Sequence, residues 1–119
     1  MRRFAEEFAA FHGVEHCIAT ANGSLALLAA LEALDVGAGD EVIVPGLTWV
    51  ANASAVVRAN AVPVLVDVEP DTLCLSADET RRALSSRTRA ICVVHLYSSM
   101  ADMDALGAVA AEEIGRAHV

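Results

Sequence analysis

Lysine is missing altogether: all eight basic residues of this 119-residue chain are arginines. No side-chain amine is therefore present to condense with a carbonyl, and amine-based covalent chemistry is excluded within these residues. Basic charge is scarce as well. Eight Arg against sixteen Asp and Glu give a formal net charge of −8, so no basic patch exists to favour nucleic acid or an anionic membrane surface. Cysteine is limited to Cys17, Cys74 and Cys92, an odd, scattered set without Cys-x-x-Cys or His-x-x-x-His spacing. The expected reading is buried free thiols in a reducing cytoplasm, with no metal site. No apolar run reaches the roughly 18 residues of a membrane span. The opening Met1-Arg2-Arg3 runs into Glu6 and Glu7 with no continuous apolar stretch, which is not a signal peptide.

What is abundant is apolar residue, 55% of the chain. The length fits one small domain, and this hydrophobic surplus suits part of a larger core as well as a complete one. Phe4, Phe8 and Phe11, spaced by four and three, predict one core-facing stripe of an amphipathic helix that Gly13 ends. A short strand is expected over residues 16–20. Residues 24–34 are apolar on most sides and predict a buried helix, closed by Gly37 and Gly39. Residues 41–44 read as a buried strand cut by Pro45-Gly46, and Thr48 is placed to cap a helix reaching about Asn60. A second strand is expected over 62–68. Ser76 with Glu79 fits a capping box opening a helix to about Ser85. A third strand follows over 89–94, and Asp102 begins a last helix. This alternation with short connections predicts an α/β fold, a mostly parallel sheet with helices on both faces.

In such a sheet, ligands collect where the strands end. Asn22-Gly23-Ser24 is one such place. Gly23 lets backbone approach a ligand, and the N–H groups of Ser24 and Leu25 are first-turn donors suited to a phosphate. The helix dipole would add roughly 0.3–1 kcal/mol. The alternative is an ordinary helix start whose Ser satisfies its own backbone. Trp49, the single Trp, follows a buried strand, where its ring would either pack in the core or stack on a flat ligand. Together the two places suggest a phosphorylated, aromatic cofactor. His95 reads as a structural residue at a strand end, and Asp67, Glu69 and Asp71 around Pro70 as a turn.

The ordered set is more specific than its parts. It comprises Asn22-Gly23-Ser24, Gly-Asp-Glu-Val-Ile-Val-Pro (39–45), Thr-Trp-Val-Ala (48–51), Val-Asp-Val-Glu-Pro-Asp-Thr-Leu (66–73), Val-His-Leu-Tyr (94–97) and Ala-Asp-Met-Asp-Ala-Leu (101–106). In this the chain resembles the DegT/DnrJ/StrS family from residue 4 to about 111. The resemblance implies the large domain of aminotransferase fold type I and a pyridoxal 5'-phosphate enzyme acting on keto-sugars or keto-cyclitols with an amino-acid donor. Gly23, Ser24 and Leu25 match the family's Gly-Thr-Ala stretch, which holds the cofactor phosphate. Trp49 matches the aromatic residue stacked on the pyridine ring. His95 and Tyr97 match a loop near the active site, with no role carried over. The wording of residues 45–50, 71–75 and 95–104 is similar to aminocyclitol aminotransferases of antibiotic pathways.

The family also implies a homodimer, a catalytic Lys and a carboxylate on the pyridine nitrogen. The last two would lie beyond residue 113, so no catalytic residue is expected here and the chain alone is expected to be inactive. Residues 1–113 are thus expected to be part of the cofactor-binding large domain, about a third of a family member. Residues 114–119 read as the codons ATC GGA AGA GCA CAC GTC, a common sequencing adapter. They are expected to be adapter read-through, the alternative being the end of the last helix. Two other functions fit these residues: a deoxysugar dehydratase of the same family, in which His replaces the Lys, and a non-catalytic α/β phosphate-binding module.

Overall fold

The computed structural model describes residues 1–113; the segment 114–119, with its adapter reading, lies outside the described residues. Eight elements follow one another: α1 (Arg2–His12), α2 (Gly23–Ala33), β1 (Glu41–Pro45), α3 (Ala51–Arg58), β2 (Val62–Val66), α4 (Ala77–Ala83), β3 (Thr88–Ile91) and α5 (Met103–Glu113). The strands form one parallel sheet in the order β2-β1-β3. Helices α3 and α4 are the crossovers that parallel pairing demands. At the centre, Ile43 stands opposite Val64 on one side and Ile91 on the other.

The two-residue period of β1 divides the core in two. Val42 and Val44 join Leu31, Ala55 and Val56 under α2 and α3. Ile43 points the other way, into a cluster with Leu75, Ile91, Leu106 and Ala110 beside α4 and α5. All three β1 residues are completely buried, as an unbroken apolar strand between two helical layers should be. The expected α/β class, with a parallel sheet and helices on both faces, is what forms.

Local signals set the helix ends. Gly13 ends α1 in the left-handed region at φ 66°, where a Cβ would be strained. Asn22, Ser76 and Asp102 accept the N–H groups of Leu25, Glu79 and Ala105, each satisfying a first-turn donor. At the amino end of β1, Glu41 accepts from Ser85 Oγ and from Arg87, whose Nε lies 2.9 Å away. The Ser85 hydrogen bond, then Arg87, hold the Glu41 carboxyl below the usual carboxylate range.

Several expectations fail, most of them because too little sheet is present among the described residues to cover the apolar surface. Residues 16–20 form no strand, because no segment among the described residues offers them a ladder. Phe4, Phe8 and Phe11 are exposed rather than core, Phe11 by 83%; Phe4 and Phe8 stack on each other at 5.5 Å. Helix α2 buries only Leu31 fully, since α3 and the sheet cover just one of its sides. Val62 and Leu65 on β2 are exposed too. Thr48 does not cap α3: the helix starts after Val50, which makes no side-chain cap bond. Among the described residues no helix is long and apolar enough to cross a membrane.

Candidate functional site

Parallel pairing sends the carboxyl ends of all three strands to one edge. There β1 runs out through Pro45 into the loop 46–50, which carries Trp49. The amino end of α2 lies against this loop. A cavity of about 580 Å³ opens between them, lined by Gly23, Ser24, Ala26, Leu27, Ala30, Trp49, Ala51 and Asn52. Two places separated by 25 residues of sequence are thereby joined.

The two contribute different surfaces. Among the described residues no protein group accepts from the N–H of Gly23 or Ser24, so both donors are free for a ligand. A Cβ on Gly23 would meet no atom within 4 Å; the glycine leaves room in the cavity rather than relieving a clash. Ser24 adds a hydroxyl. Leu25 differs from the sequence reading: its N–H donates to Asn22 Oδ1 at 3.0 Å and is not an orphan. The free amides are therefore one residue earlier, at the first two helical positions, where the dipole's positive end is strongest. Trp49 supplies a flat ring that is 77% exposed. No charged side chain lines the cavity, so an anion would be held by dipoles alone.

Asn52, which the sequence reading passed over, is the most connected polar side chain here. It is only 8% exposed. Its Nδ2 donates to Thr48 Oγ1 at 3.2 Å and to the Trp49 carbonyl at 3.1 Å, and its Oδ1 lies 3.2 Å from Cys92 Sγ. Burial pushes the Cys92 thiol up, which keeps it a protonated donor at neutral pH. The available signal was spacing: Thr48 and Asn52, four apart, flank the first turn of a helix without a capping side chain.

His95 and Tyr97 lie on the loop after β3 and do not line this cavity. His95 Nδ1 accepts the Ala101 N–H at 3.1 Å, so a neutral ring carries its proton on Nε2. Tyr97 is exposed with φ 54°, a strained backbone for an aromatic residue. Asp67 accepts the Val68 N–H, and Glu69 and Leu73 close the following turn through backbone bonds. The described residues contain no group of three or more His, Cys, Asp or Glu side chains placed to hold a metal.

Residues 1–114 match the model of the DegT/DnrJ/EryC1/StrS aminotransferase family. The L-glutamine:2-deoxy-scyllo-inosose aminotransferase of Micromonospora echinospora is 62% identical over 109 residues, which are 92% of this chain and 26% of that protein. The L-glutamine:scyllo-inosose aminotransferase of Streptomyces griseus is 59% identical over 105 residues, 88% of this chain and 25% of its own length. Among solved structures, NtdA from Bacillus subtilis with bound cofactor PMP superposes with a TM-score of 0.90 at 32% identity, covering 93% of this chain and 26% of that one. The chain thus spans about a quarter of the length of the curated relatives it matches.

Proposed function

This chain belongs to the DegT/DnrJ/EryC1/StrS aminotransferase family, and on that basis we propose that the whole protein moves an amino group from L-glutamine to an inosose-type keto-cyclitol. The named relatives support both substrates, and they favour amine transfer over dehydration. The cofactor is pyridoxal 5'-phosphate, which supplies a carbonyl and an electron-accepting ring to carry the amino group between donor and acceptor. Residues 1–113 are taken as part of the domain that binds it. The whole protein would be a homodimer, the state that the resemblance implies.

One observation carries the binding role: a single cavity presents two free helix-start amides beside an exposed indole. The set fits a phosphate attached to a flat ring. In this reading the N–H groups of Gly23 and Ser24, with the Ser24 hydroxyl, take the phosphate oxygens. Leu25 contributes through the helix turn, its own N–H being held by Asn22. The indole of Trp49 covers one face of the ring and excludes water from it. Ala26, Leu27 and Ala30 supply an apolar wall. Without a side-chain amine, the 119-residue chain binds and orients but does not turn over.

The test uses Trp49 as a built-in reporter, since no other Trp interferes. Titrating the chain with pyridoxamine 5'-phosphate is expected to quench its emission saturably. Pyridoxamine without the phosphate should bind at least about tenfold more weakly, the scale of a charge-assisted hydrogen bond. Equal affinity for the two compounds would remove the phosphate role from Gly23 and Ser24. No saturable quenching by either would end the cofactor reading.

A further inference from the structure

Trp49 presents a puzzle of restraint. A ring that must meet a ligand in one orientation is normally held by packing, yet this one is 77% exposed. The loop that carries it precedes a helix whose N-cap, Val50, offers no side-chain bond. Besides backbone bonds at Gly46 and Val50, the loop is tied by the side chain of Asn52, reaching back one helical turn to Thr48 Oγ1 and the Trp49 carbonyl. We propose that Asn52 is a positioning residue for the stacking Trp49, holding the indole at the angle the cofactor ring requires; this rests on the cofactor reading given above.

The orientation of the carboxamide is itself determined. A backbone carbonyl can only accept, so the nitrogen must face Trp49 and the oxygen is left for Cys92. The Cys92 thiol meets that need as a donor. Every polar atom of the Asn52 side chain is thereby partnered, and the residue itself is buried from water. Such a side chain has one rotamer available, and the loop it binds inherits that rigidity. Asn52 also lines both this cavity and the neighbouring apolar cavity of about 450 Å³ beside Leu31, Val56 and Cys92. The tie therefore runs from the hydrophobic core to the rim of the site.

Three variants separate positioning from general stability. Asn52→Ala removes both side-chain bonds to the loop and leaves the bond from its own N–H to the Trp49 carbonyl. Thr48→Val removes one and leaves Asn52 in place. Cys92→Ala removes the thiol and leaves both loop bonds intact. The first readout is time-resolved fluorescence anisotropy of Trp49 in the ligand-free chain, with helix content by circular dichroism to verify folding. The second is the pyridoxamine 5'-phosphate titration.

Asn52→Ala is expected to raise the amplitude of fast indole motion and weaken binding about tenfold, the scale of one to two neutral hydrogen bonds. Thr48→Val and Cys92→Ala should each fall between it and the unaltered chain, the first losing one loop bond and the second the partner that holds the carboxamide oxygen. If Asn52→Ala does not fold, increased indole motion in a folded Thr48→Val still supports the role, and unchanged motion overturns it. A folded Asn52→Ala with unchanged indole motion overturns the proposal, as does Cys92→Ala matching its effect. Failure of the unaltered chain to bind the phosphate compound would sink the cofactor reading instead, while the ligand-free anisotropy would still judge Asn52.

Discussion

Replacing Asn22 by Ala separates two tasks that meet at one amide. In the folded chain Asn22 Oδ1 accepts the Leu25 N–H at 3.0 Å, the only side-chain cap on the start of α2 among the described residues. Loss of an Asn N-cap to Ala costs about 1 kcal/mol, with a range of roughly 0.5–2. For a domain of this size that lowers Tm by about 3–6 °C. The same change frees a third first-turn amide, that of Leu25, next after those of Gly23 and Ser24. A phosphate oxygen that takes it forms a charge-assisted bond of roughly 1.5–3 kcal/mol, stronger than the neutral bond it replaces. Asn22→Ala should therefore melt earlier without ligand, yet bind pyridoxamine 5'-phosphate at least as tightly as the unaltered chain. To the extent that the variant binds more tightly, saturating ligand should narrow the difference in Tm between the two, because binding to the folded state adds stability of RT ln(1 + [L]/Kd). Differential scanning fluorimetry across a ligand series, with Trp49 quenching for Kd, measures both. An unchanged Tm would refute the capping role. Weaker binding in the folded variant would refute the competition, and would make the Asn22 side chain a contact of the phosphate itself.

Two further outcomes follow from the fold. Glu41 has its folded pKa lowered by Ser85 and Arg87, so its contribution to stability is present above the ordinary carboxylate value of about 4.3. It is lost as pH falls through the lower, folded value; Glu41→Gln should flatten this part of the acid limb in urea melts taken from pH 6 to pH 3, and an unchanged slope would refute it. Ile43 is fully buried at the sheet centre, and Ile43→Ala should destabilise by about 2–5 kcal/mol, read as a lower urea midpoint. A loss under 1 kcal/mol would mean that the cluster beneath α5 collapses readily into the space.

The three phenylalanines of α1 show how a correct pattern can mislead. Spacing by four and three does define one face of a helix, and that helix forms over Arg2–His12. What the face meets is a question of which other surfaces are present, and here Phe4, Phe8 and Phe11 meet mainly one another, His12 and solvent. Helix α2 repeats the lesson: its all-round hydrophobicity was legible, but burial reaches only the side that α3 and the sheet cover. Residues 16–20 have strand-like composition and no ladder, and a strand without a partner leaves its backbone groups unpaired.

The site divides along the same line. The positions of Gly23 and Ser24 at a helix start and of Trp49 past a strand end were legible, because each sits beside a local signal. Asn52 was not, because its importance lies in three partners at Thr48, Trp49 and Cys92, the last one 40 residues away. Nor could sequence show that Asn22 would take the Leu25 amide, which depends on how a single side chain turns at the helix entry.

By itself, the sequence determined what depends on short-range chemistry. That comprises the helix starts at Ser76 and Asp102, the stop at Gly13, the apolar run of β1, and the absence of any lysine. These follow from backbone donors, glycine's freedom at positive φ and a two-residue strand period, all of which act within one turn or one strand. Only the tertiary structure decided the strand order β2-β1-β3, the single cavity joining Gly23 to Trp49, and the tie from Asn52 through the loop to Cys92. Those depend on which surfaces parallel pairing brings to the same edge, and that is a property of packing between elements rather than of any one of them.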